Sequence, residues 1–152
     1  MLPVGAVAPE FSLESQSGVA LRLSEFKGKK NVVLYFYPKD FTTGCTIEAN
    51  AFRESFKSFD GVEAVILGVS ADTVESHRRF SDHCQLPYTI LSDTKKDVRK
   101  LYDVSGAFGL SGRVTYVIDK EGVIRGAFSS QLHPKRHVAE ALATLARIDE
   151  KS

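Results

Sequence analysis

The sequence predicts an α/β sandwich with a mixed central sheet, flanking helices and an N-terminal hairpin, occupying residues 1–152 as one domain. Three observations carry that expectation. VVLYFY, residues 32–37, is an unbroken β-branched and aromatic run of the kind found in strands buried on both faces of a mainly parallel sheet. AVILGVS, residues 64–70, repeats the pattern after a segment in which Phe52, Phe56 and Phe59 recur at helical spacing. VTYVID and VIRGAF flank a tight turn at KEG, so the last two strands form a hairpin.

The elements follow in order. Phe11–Glu14 and Val19–Leu23 are short alternating runs split by SQSG, which reads as the N-terminal hairpin leading to a turn that Ser24 caps. Pro38 ends the VVLYFY strand. From Thr46 onward the Phe52, Phe56, Phe59 spacing marks one amphipathic helix whose first turn lies close to Cys45. After AVILGVS, Asp72 or Thr73 caps a helix running through Val74, His77, Phe80 and Ser81 to about Cys84. LPYTILSD supplies a short strand, Val98–Tyr102 a helical turn, and GAFGLSGR a Gly-rich loop before the hairpin. Val138, Leu142, Leu145 and Ile148 mark a last amphipathic helix that covers the sheet. The order βαβαβ followed by ββα is the arrangement a thioredoxin-like domain uses.

Composition narrows the function. At 152 residues, 43% hydrophobic and 26% charged, the chain has room for a real core. Its formal charge is +1 and no stretch gathers enough Lys or Arg to form a phosphate-binding track, so nucleic acid is not an expected partner. MLPVGAVAPEF lacks the basic and apolar regions of a signal peptide, and no segment reaches the roughly eighteen apolar residues of a membrane span. A reducing compartment is expected: the cytoplasm, or an organelle if a transit peptide has been removed. Two cysteines, Cys45 and Cys84, do not make a disulfide framework, so each is either a buried structural thiol or a reactive one.

Cys45 sits at a strand-to-helix junction. There it meets free backbone N–H groups and the positive end of the helix dipole, and both favour thiolate over thiol. Thr42, three residues earlier, stands where a dithiol oxidoreductase would carry the first Cys of a C-x-x-C pair, so exchange within such a pair is excluded. A single thiolate with a hydroxyl beside it suits attack on a peroxide, because the hydroxyl both donates to the sulfur and accepts from an incoming O–H. The product is a cysteine sulfenic acid.

Pro38, Thr42 and Cys45 in PKDFTTGC match the P-x-x-x-T-x-x-C signature of the peroxiredoxins. VVLYFYPKD, GAVAPEFSL, SADTVESHRRF, LPYTILSD, SGRVTYVIDKEGVI and HPKRHVAEAL resemble, in the same order, the bacterioferritin-comigratory-protein or peroxiredoxin Q subfamily over nearly the whole chain. The resemblance implies a thiol-dependent peroxidase that reduces hydrogen peroxide and organic hydroperoxides, needs neither cofactor nor metal, and is re-reduced by thioredoxin or a similar dithiol protein. It implies that Cys45 is the peroxidatic cysteine, that Thr42 aligns the peroxide, and that Pro38 shields the pocket floor. Arg113 matches the arginine beside the thiolate, and Glu48 the glutamate that orients it. Where many members carry a resolving cysteine five residues after the first, this chain has Asn50, which leaves Cys84 as the candidate. A one-cysteine route resolved by an external thiol stays open, and so does Thr43, in place of the usual proline, as a loosened helix start. A monomer is expected. A redox sensor would differ by slow re-reduction, and a non-catalytic module by consuming no peroxide. His77, His83, His133 and His137 match no familiar zinc spacing and are expected to be solvated helix residues, with metal binding left open only at His83 beside Cys84.

Overall fold

A computed structural model describes residues 1–104, 113–130 and 132–150, so the Gly-rich loop, Arg113 apart, lies outside the described residues. The strands are β1 Ser12–Ser15, β2 Ala20–Arg22, β3 Asn31–Phe36, β4 Ala64–Ser70, β5 Thr89–Ser92, β6 Val114–Ile118 and β7 Ile124–Ser129. They form one seven-stranded sheet in the order β2-β1-β5-β4-β3-β6-β7. The helices are α1 Thr43–Glu54, α2 Phe56–Gly61, α3 Val74–Cys84, α4 Asp97–Leu101 and α5 Pro134–Glu150. None of the described helices is long and apolar enough to cross a membrane.

Every residue of β3 is buried, as its unbroken apolar run requires of a central strand. It pairs in parallel with β4 and antiparallel with β6. β5 continues the parallel set, and the N-terminal hairpin extends the sheet through β1 antiparallel to β5. The β6–β7 hairpin closes the other side, with a register shift at Val117/Ile118. One core packs beneath α1, α3 and α5 and includes Tyr35, Tyr37, Cys45, Phe52, Phe80, Cys84 and Leu145. The other, around Phe11, Phe36, Tyr102 and Tyr116, lies against the N-terminal segment and α4. Packing is close enough that a Cβ on Gly68 would meet the Tyr35 ring at 2.9 Å.

Register decides what meets at the active end. Phe36, the last residue of β3, pairs with Val114, the first of β6, and Val114 pairs with Ser129, the last of β7. Residues just before β6 and just after β7 are thereby brought to the carboxyl end of β3, where α1 also begins.

Three sequence expectations need correction. The helix after Pro38 starts at Thr43 rather than Thr46, and it breaks at Ser55 into α1 and α2. Ser55 has φ −98° and ψ 8°, so the Phe52, Phe56, Phe59 spacing spans two helices packed on one core. Ser24 does not cap the turn after β2. That turn, Leu23–Phe26, is a 3-10 helix entered from Arg22, whose N–H donates to Glu25 at 2.6 Å. At α3, of the two caps considered, the Thr73 side chain accepts from the Ser76 N–H. The histidines divide: His83 and His133 are exposed, but His77 and His137 are fully buried.

Candidate active site

Cys45 lies in the first turn of α1. The first intrahelical bond runs from the Thr46 N–H to the Thr42 carbonyl, so the N–H groups before it emerge from the helix end beside the thiol. The side chain is buried, at 1% exposure. One turn on, Glu48 points to the same side of α1 and is fully buried. Arg113, immediately before β6, reaches both. Its Nη1 donates to Glu48 Oε1 at 2.6 Å and its Nη2 to Cys45 Sγ at 3.5 Å. The guanidinium fits because position 44 is glycine: a Cβ there would stand 3.0 Å from Arg113 Nη2.

The loop leading into α1 is firmly anchored. Asp40 is buried, and its backbone N–H donates to Asp72 Oδ2 at 2.8 Å. Its carboxylate accepts from the Tyr37 hydroxyl at 2.7 Å and the Ser76 hydroxyl at 2.8 Å, and meets His77 Nδ1 at 2.7 Å. His77 is held from its other side by the Leu91 carbonyl at 2.9 Å. Phe41, next in the chain, takes a left-handed φ of 67°, a conformation costing a bulky residue on the order of 1 kcal/mol or more. The anchored Asp40 and an edge contact of the Phe41 ring with Phe80 at 5.2 Å hold it there. Asp40, Asp72 and His77 bring donor atoms within 4.8 Å of one another, but those atoms are already engaged by hydrogen bonds.

Of the residues singled out in the sequence, Cys45, Glu48 and Arg113 form one contact unit. Thr42 is the N-cap residue of α1 and exposed, and its hydroxyl donates to the Lys39 carbonyl at 3.0 Å rather than to the sulfur. Pro38 is half-buried at the end of β3. Cys84 closes α3 in the same core as Cys45, and its carbonyl accepts from Arg53 of α1 at 2.6 Å. Burial pushes the Cys84 thiol up, with Arg53 opposing.

Sequence reading missed His137. It stands on α5 with Nδ1 3.6 Å from Glu48 Oε2, which has no hydrogen-bond partner among the described residues. The signal was there in its spacing: His137 shares a helix face with Ala141 and Thr144, both buried. His77 likewise shares the face of Phe80, Ser81 and Cys84. Burial dominates the electrostatics of the unit. It raises Glu48 from 4.5 to about 8 despite Arg113, and lowers His137 from 6.5 to about 4. Arg113 remains a cation, its guanidinium raised further by Glu48 and Cys45 against the cost of burial.

A model of the AhpC/TSA family matches residues 4–127. The chain is 44% identical over 146 residues to "Peroxiredoxin Q, chloroplastic" of Triticum aestivum, covering 95% of this chain and 67% of that one. It is 46% identical to the protein of the same name from Sedum lineare, covering 93% and 76%. Its structure superposes on peroxidoxin BcpB of Mycobacterium tuberculosis with a TM-score of 0.91, 35% identity and coverage of 97% and 99%. The bacterioferritin comigratory protein of Xanthomonas campestris, described for its alkyl peroxide reduction activity, superposes at 0.84 with 30% identity, covering 97% and 98%.

The sign of the Glu48 shift gives a test of its burial. Its folded value lies above the unfolded 4.5, so the folded form is favoured below 4.5 and that advantage is lost as pH rises toward about 8. His137 acts oppositely: its contribution is present above 6.5 and is lost as pH falls toward about 4. Between pH 6.5 and 8 only Glu48 of this pair changes its contribution. Relative to Glu48→Gln, the wild type should lose about 1–2 kcal/mol of unfolding free energy across that window. Urea denaturation at both pH values measures it, and parallel behaviour of the two proteins would mean that Glu48 is ionised throughout.

Proposed function

This chain belongs to the AhpC/TSA family, in its peroxiredoxin Q branch, and is a thiol-dependent peroxidase; we propose that Cys45 is its nucleophile and Arg113 the cation that keeps it a thiolate. The observation that carries the reading is the 3.5 Å contact from Arg113 Nη2 to Cys45 Sγ in a buried site. A neighbouring cation favours the anion most strongly where water is excluded.

Each step follows from the groups at hand. The Cys45 thiolate attacks one oxygen of a hydroperoxide along the O–O axis. The S–O bond forms as the O–O bond breaks, and the leaving oxygen takes a proton to become water or an alcohol. Thr42, whose hydroxyl proton is committed to the Lys39 carbonyl, has lone pairs left to accept the peroxide O–H and so align it. The guanidinium donates to the sulfur and is placed to stabilise charge growing on oxygen, a task for a planar fork of donors rather than a point charge. Pro38 closes the floor of the pocket, and Glu48 orients Arg113.

The Cys45 sulfenic acid is then attacked by Cys84 sulfur, forming a disulfide and releasing water. Both sulfurs belong to one core on one side of the sheet, and Arg53 ties α1 to the end of α3. Bridging needs Cα atoms within about 7 Å and exposed sulfurs, so the first turn of α1 unwinds to deliver Cys45. Thr43, where the family commonly has proline, favours that opening. An intramolecular bridge needs no second subunit, which fits a monomer. A small dithiol protein of the thioredoxin type reduces it, in the cytoplasm or, as the names of the plant relatives suggest, in an organelle.

Cys45→Ser should abolish thiol-dependent peroxide consumption, since a hydroxyl does not supply an anion near neutral pH; retained turnover would sink the assignment. After one equivalent of peroxide the wild type should lose both free thiols as a compact monomeric disulfide on a non-reducing gel. Cys84→Ser should stop at sulfenic acid and over-oxidise more readily. Wild type with oxidised Cys45 and alkylatable Cys84 would instead establish the one-cysteine route.

A further inference from the structure

His137 is fully buried beside the Arg113–Glu48 pair, and the peroxidase chemistry gives it no task. We propose that His137 is a positioning residue of the thiolate site: its imidazole, fixed between Ser130 and Thr115, holds Glu48 as the neutral acid, so that the charge of Arg113 stays directed at Cys45. This rests on Cys45 being the peroxidatic residue.

The hydrogen bonds assign the ring. Nε2 lies 2.9 Å from the Ser130 carbonyl, which only accepts, so Nε2 carries the proton. In the neutral ring Nδ1 then only accepts, and the Thr115 hydroxyl, 2.7 Å away, donates to it. The edge contact with Phe128, 4.8 Å between ring centres, fixes the plane. His137 therefore has no proton to offer Glu48. An ionised Oε2 would be a buried anion with no donor among the described residues, 3.6 Å from the lone pair of Nδ1. A protonated Oε2 avoids that conflict and leaves Oε1 to accept from Arg113.

The other described groups around the pair do not change this balance. Tyr35 and Tyr88 sense Glu48 from the sheet side, and their phenols are held neutral, chiefly by burial. Arg113 disfavours an imidazolium at His137, adding to burial. On α5 itself, Arg136 lies over the Phe128 ring at 5.5 Å and pairs with Glu140 at 3.9 Å.

Charge counting shows the consequence. With Glu48 neutral, one guanidinium faces one thiolate. With Glu48 ionised, one buried cation is divided between two anions, and each anion makes the other harder to form. Ionising Glu48 thus draws Arg113 away from Cys45, and His137 sets which form Glu48 takes.

The test follows thiolate formation at Cys45 by ultraviolet absorbance and by alkylation rate across pH in wild type, H137Q, E48Q and the double variant. Glutamine at 137 offers an amide N–H to Oε2 and so favours the Glu48 carboxylate. The midpoint for Cys45 should move up by about one pH unit, with alkylation below it about tenfold slower. E48Q should show no such rise, and E48Q/H137Q should match E48Q, because no ionisable carboxyl is left to control. An unshifted midpoint in H137Q, or the same shift on the E48Q background, overturns the proposal. Should H137Q fail to fold, imidazole ¹⁵N shifts of the wild type decide: a neutral, Nε2-protonated His137 at pH 7 is expected, and an imidazolium overturns the proposal. Cys45→Ser turnover tests the peroxidatic reading separately, so failure of either claim is recognisable.

Discussion

The site depends on one guanidinium doing two things at once, bonding Glu48 at 2.6 Å and Cys45 at 3.5 Å. Each half of that contact is built by a different part of the fold. Antiparallel pairing of β6 with β3 brings Arg113 to the carboxyl end of β3, where the chain turns into α1. The α-helical rise sets Glu48 one turn above Cys45 on the same side. Gly44 leaves the gap through which Nη2 passes. Lose that placement and the buried guanidinium is left short of partners, a condition more costly than losing a surface ion pair.

The proposed cycle sets a second requirement, that the same turn be firm for attack and yet open afterwards. Firmness comes from outside α1: the Asp40 carboxylate with its Tyr37, Ser76 and His77 contacts, and the Asp72 bond to its backbone. These hold the left-handed Phe41 and thus the direction in which Thr42 enters the helix. The anchor stops at Thr42, whose side chain caps no helical N–H. Unwinding the first turn of α1 therefore leaves the Asp40 network intact, and in the proposed cycle Cys45 swings toward Cys84 from a fixed base.

Much of this was legible in the chain. Buried strands announced themselves as apolar runs, the hairpin by its turn, and the proposed nucleophile by a cysteine at a strand-to-helix junction. Arg113 and Glu48 were found by resemblance, because residues so far apart in sequence meet only through strand register, which no local pattern encodes. His77 and His137 were misread as solvated, since a polar residue on an apolar helix face looks like decoration until its partners are known. Their partners come from other elements: Asp40 and Leu91 for one, Thr115 and Ser130 for the other. The break at Ser55 was hidden for a related reason, in that two helices packed on one core preserve the spacing of a single one.

The most direct test of the central claim is the pH titration of the Cys45 thiolate in wild type and in Arg113→Met, which keeps an unbranched side chain and removes the charge. If the guanidinium sustains the thiolate, the variant's midpoint should rise by about one to three pH units, with the rate of sulfenic acid formation falling at least in proportion. Superimposable titrations would mean that the 3.5 Å contact carries no part of the thiolate's stability, and would contradict the account at its base.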